Sequence, residues 1–103
     1  MKSNLEIMAE MLPSVRAEIA RELIGAHKMN QSDVSRMLGV SQPAISQYVR
    51  QLRGNNRKVF NETMRNEIKS LCEKMVNGKL NSSDLENELY NICKNAVGAI
   101  KIA

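Results

Sequence analysis

Residues Gln31–Arg53 read QSDVSRMLGVSQPAISQYVRQLR, and the fold turns on how that stretch is parsed. Val34, Met37 and Leu38 fall at i, i+3 and i+4, which puts them on one buried helical face. Gly39 follows the last of them, where a left-handed residue ends a helix at little cost to glycine. Val40 then closes the corner as an apolar plug. Ser41 is the expected N-cap of a second helix, and Pro43 lies in its first turn, where a missing N–H does no harm. Ile45, Tyr48, Val49 and Leu52 form the inner stripe of that helix. Gln42, Pro43, Ala44, Ser46, Gln47 and Arg50 are left on or near its outer face.

That outer face carries amides and hydroxyls at its N-terminal end and arginine at its C-terminal end, where a merely solvated helix is rich in Glu and Lys. Glutamine can pair bidentately with adenine, serine can bond base or phosphate, and arginine can hold phosphate or guanine. The small Ala44 permits close approach to base edges. The composition is that expected of a recognition helix. Gln42, Ser46 and Gln47 are the candidate base contacts.

Charge points the same way. The net charge is +4, and residues 1–58 hold all of it, nine Lys/Arg against five Asp/Glu, while residues 59–103 balance six against six. No acidic residue lies between Asp33 and Glu62, a gap that holds Arg36, Arg50, Arg53, Arg57 and Lys58. An acid-free basic surface is the electrostatic footprint of nucleic-acid binding. Gln31, Ser41, Arg50, Arg53, Arg57 and Lys58 are the candidate contacts to the DNA backbone.

The run QSDVSRMLGVSQPAISQYV resembles the helix-turn-helix of the lambda-repressor-like DNA-binding regulators. Val34, Ser35, Leu38, Gly39, Val40, Ile45 and Tyr48 stand where that motif places apolar, small and turn residues. With RAEIARELI before it, the stretch is similar to a group of short archaeal transcriptional regulators, over residues 13–53. The resemblance implies that Gln31 binds phosphate and braces Gln42. Pro43 departs from the family pattern, in which a polar or small residue is more usual.

Outside that stretch the chain reads as all-α. It is 103 residues long and 43% hydrophobic, with seven Met, five Gly, two Pro and 3% aromatics, and β-type alternation is nearly absent. Residues 3–12 predict a short helix with Leu5, Met8 and Leu12 on one stripe, broken at Pro13. A second helix follows from the cap Ser14, with Val15, Ile19, Leu23 and Ala26 inward. His27 has no companion ligand and reads as a surface residue at a helix end. Gly54-Asn55-Asn56-Arg57-Lys58 reads as a turn or linker. The next helix is expected to be capped at Asn61 and to end at Asn77-Gly78. Ser83 and Glu86 predict a capping box for the last helix, with Gly98 as its end.

The expected architecture is therefore a helix-turn-helix DNA-binding domain over residues 1–55 and a C-terminal antiparallel helix hairpin over 59–103. Met64, Ile68, Leu71, Met75, Leu85, Leu89 and Ile92 form more apolar stripe than one hairpin buries. Either the N-terminal domain or a second copy must cover it. A homodimer is the favoured solution, because paired helix-turn-helix units read two half-sites about 34 Å apart.

Cys72 and Cys93 lack CxxC spacing and a histidine partner, so buried reduced thiols are expected, with a cross-hairpin disulfide the lesser option. No nucleophile–base pairing or phosphate-cradling glycine loop is visible, so neither catalysis nor a cofactor is expected. No apolar run is long enough to span a membrane and no signal sequence is read, which predicts a cytoplasmic protein. The leading expectation is a sequence-specific regulator that binds double-stranded DNA. An antitoxin with the same DNA-binding half, or a protein-interaction module on this scaffold, are the alternatives. The operator, the sign of regulation and any effector are not written in the sequence.

Overall fold

Ser3 opens the first helix. Its hydroxyl accepts the Glu6 N–H at 3.2 Å and the Glu6 carboxylate accepts the Ser3 N–H at 3.3 Å, a reciprocal cap that satisfies two donors the helix start leaves free. The computed structural model describes residues 3–50 and 62–102. Among these residues every element is an α-helix: α1 Asn4–Gly25, α2 Gln31–Leu38, α3 Gln42–Arg50, α4 Glu62–Val76 and α5 Ser82–Ile102. None of them is long and apolar enough to cross a membrane.

The expected break at Pro13, and with it the cap at Ser14, does not occur. Helix α1 runs through the proline for 22 residues. A proline inside a helix costs about 3 kcal/mol and removes one backbone bond. Against that stand Met8, Met11, Val15, Ile19 and Leu23, all buried and spaced by three or four residues across Pro13 without a phase change. Each such side chain contributes roughly 1.5–3 kcal/mol on burial, so the continuous stripe outweighs one proline whose own ring faces solvent. The stripe is not quite the expected one. Met11 is buried, whereas Leu5 is 73% exposed, Leu12 is half-buried and Ala26 is exposed.

Lys28, at φ 58°, reverses the chain after α1, and the Met29 N–H returns to the Leu23 carbonyl at 3.1 Å. Asn30 caps α2, its side-chain oxygen accepting the Asp33 N–H at 2.8 Å. Helix α2 ends at Gly39 with φ 68° and ψ 33°, the left-handed corner that the sequence requires. Val34, Leu38 and Ile45 go into the core and tie α2 and α3 to each other and to α1.

Beyond residue 61 the chain returns to α1. Helix α4 stops at Asn77-Gly78, where Gly78 has φ 72° and the Lys79 N–H reaches back to the Lys74 carbonyl. Helix α5 begins two residues earlier than the Ser83 cap predicts. Asn81 is its cap, with its side-chain oxygen accepting the Asp84 N–H at 2.9 Å, so the Ser83–Glu86 box is replaced. The helix also continues through Gly98 to Ile102. A helical glycine costs about 1 kcal/mol relative to alanine, which is too little to stop a helix on its own.

The structure departs furthest from expectation at the apolar stripe of α4 and α5. Met64, Ile68, Leu71, Met75, Leu85, Leu89 and Ile92 are all buried within the single chain, none more than 5% exposed. Helix α1 covers them, packing against α4 and α5 as well as α2 and α3. The expected dimer face is thus an internal surface, and one core runs from Met8 to Ala96. The physical reason is the length of α1. An unbroken helix offers enough apolar face to serve two helix pairs at once.

Cys72 and Cys93 are free thiols in that core. Burial pushes the Cys72 thiol up to about 12, with Glu22 adding to the shift, and the Cys72 Sγ faces the Ile19 carbonyl at 3.8 Å. Burial also raises Cys93, opposed by Arg16. Both stay neutral and serve as small apolar groups.

Candidate nucleic-acid interface

Helix α3 is fixed from beneath by Ile45, which is fully buried, with Tyr48 and Val49 half-buried beside it. At 100° per residue this turns Gln42, Pro43, Gln47 and Arg50 outward, and all four are exposed. Ala44 and Ser46 sit at the margin, half-buried. Two of the three expected base contacts, Gln42 and Gln47, therefore lie on open surface.

Ser41 caps α3. Its Oγ accepts the Ala44 N–H at 3.2 Å, so its hydroxyl hydrogen remains to be donated outward. The turn before it is held by Ser35. The Ser35 hydroxyl donates to the Val40 carbonyl, while the Ser35 carbonyl accepts from the N–H groups of Gly39 and Val40. Ser35 is also the small residue that the tight packing of this motif predicts. Its second role, as a latch across the corner, follows from a hydroxyl placed four residues before Gly39.

Across the gap between α2 and α3, the Ser46 hydroxyl donates to the Gln31 Oε1 at 2.8 Å. This differs from the expected pairing of Gln31 with Gln42. Ser46 stands one helical turn after Gln42, on the side of α3 that leans toward the start of α2. Gln42 has no hydrogen-bond partner among the described residues, so its amide is available at both ends. Ser46 moves accordingly from the outer row to the junction between the helices. A polar pair fifteen residues apart leaves no periodic trace, so only the packing of α2 on α3 reveals it.

The cations divide into two kinds. Arg36 is paired with Asp33 on the exposed face of α2, which cancels its charge locally. Arg50, at the end of α3, has no ion-pair partner among the described residues. Leu52, Arg53, the 54–58 linker with Arg57 and Lys58, and the cap Asn61 lie outside the described residues. Over the described part of the acid-free run, α3 thus presents donors, amides and one free guanidinium, and no carboxylate. No family model, curated protein or solved structure matches the chain.

Proposed function

We propose that the chain is a sequence-specific regulator of transcription that binds double-stranded DNA through α3, in the manner of the lambda-repressor-like helix-turn-helix proteins. The observation that carries this reading is the outer face of α3. Gln42, Gln47 and Arg50 are exposed together on a helix without carboxylates, braced by a left-handed Gly39 corner and a buried Ile45. Amides that are free to pair suit base edges, and an unpaired guanidinium suits phosphate. Ser41, Gln31 and Arg50 would take the backbone, and the cations Arg53, Arg57 and Lys58 would add contacts to phosphate. The protein would act in the cytoplasm as a homodimer on a two-fold-related site, joined through a surface other than the α4–α5 stripe.

The antitoxin reading asks for a C-terminal segment that stays loose until a toxin binds. Burial of α4 and α5 against α1 speaks against it. The test is selection of bound duplexes from a random DNA pool. One recurring motif is the expected result, and recovery of no motif would return the scaffold to a protein-interaction role.

A further inference from the structure

We infer that Ser46 is a positioning residue, which turns the Gln31 side-chain amide so that its Nε2 hydrogens face an oxygen of the DNA backbone. The inference rests on the DNA-binding reading and deepens it. A glutamine amide has one acceptor end and one donor end. The Ser46 hydroxyl engages the acceptor end at 2.8 Å, so the end of Gln31 that no bond holds is its pair of N–H donors. Gln31 is the first residue of α2, directly after the cap Asn30, where the helix dipole also favours negative charge. Donors and dipole agree on an anionic acceptor, and on DNA the outward-facing acceptor along the groove edge is phosphate.

The arrangement separates two tasks. With Ser46 holding Gln31, Gln42 is not needed as a brace and keeps its whole amide for a base edge. The bond also takes the one hydrogen of Ser46, which leaves that hydroxyl only its acceptor lone pairs to offer a base.

The test compares the full chain with Ser46→Ala, Gln31→Ala and the double variant on a duplex recovered from the site selection. Each single variant is expected to weaken binding by roughly three- to tenfold, the scale of one net hydrogen bond. The double variant should lose no more than either single one, because both remove the same phosphate contact. Preference at every base pair stays unchanged, and Ser46→Thr, which keeps the hydroxyl, binds like wild type. Gln31→Glu keeps the acceptor for Ser46 but turns an anionic oxygen outward, so it should bind worse than Gln31→Ala, most clearly at low salt. A scan of neutral methylphosphonates should find one backbone position at which wild type and Ser46→Ala bind alike.

Additive losses, a changed base preference in Ser46→Ala, or unchanged affinity in that variant would each overturn the inference while leaving DNA binding intact. A wild-type chain that selects no duplex overturns the reading beneath it as well, and the two failures are thereby told apart.

Discussion

The outer faces of α3 and of the α4–α5 pair are both open surface over the same supporting helix, yet their chemistry differs. On α4 and α5 the exposed residues include Glu62, Arg65, Lys69, Glu73, Glu86 and Lys94, both signs interleaved. On α3 they are Gln42, Pro43, Gln47 and Arg50. Interleaved charge keeps a face soluble and gives a polyanion no net field to follow. A face without carboxylates, rich in amides, gains nothing in solubility and leaves its donors and acceptors unspent. Exposure alone therefore says little about where a partner docks. The sign and pairing of the exposed groups say much more.

Both regions hang on one core, and the largest expected effect tests that shared support. Leu89 is buried against the shared core, so Leu89→Ala should cost about 2–5 kcal/mol. Leu89→Asp, which buries a charge, should unfold α2 and α3 together with α4 and α5. Hydrogen exchange across the chain reads this directly. If α2 and α3 keep their protection while α4 and α5 lose theirs, the two regions are separate units.

Pro13 gives an effect of opposite sign. It is exposed in the interior of α1, so Pro13→Ala should restore one backbone bond and raise stability by up to about 3 kcal/mol in thermal or denaturant unfolding. An unchanged or lowered stability would mean that the proline shapes α1 to fit its two sets of partners.

The contrast between the faces is sharpened by matched pairs. Gln42→Ala should relax preference at one base pair per half-site by about 1–3 kcal/mol, whereas Asn91→Ala, an exposed amide on α5, should leave binding unchanged. Equal effects in a competition assay would erase the distinction. The smallest effect is electrostatic. Arg50→Gln should weaken all sequences alike and flatten the plot of log affinity against log salt by roughly 0.9, the contribution of one phosphate. Lys69→Gln on α4 removes the same charge and should leave that slope unaltered.

The sequence by itself determined the elements whose causes are local. Periodicity placed Val34, Leu38 and Ile45 inward, Gly39 fixed the left-handed corner, Ser41 marked the start of α3, and Gly78 the end of α4. The exposure of Gln42, Gln47 and Arg50 followed from the same 3.6-residue period. Only the tertiary structure decided the rest. Pro13 is a strong local stop signal, but burial of five apolar side chains in unbroken phase exceeds its cost, and that sum exists only once α1 has neighbours to bury them. The same long helix decided that the α4–α5 stripe is covered from within rather than by a second chain. It is a matter of which surface lies nearer, which no stripe can encode alone. The Ser46–Gln31 bond is the smallest instance: two polar residues fifteen positions apart meet because α2 and α3 cross there, and their meeting sets what each can offer a partner.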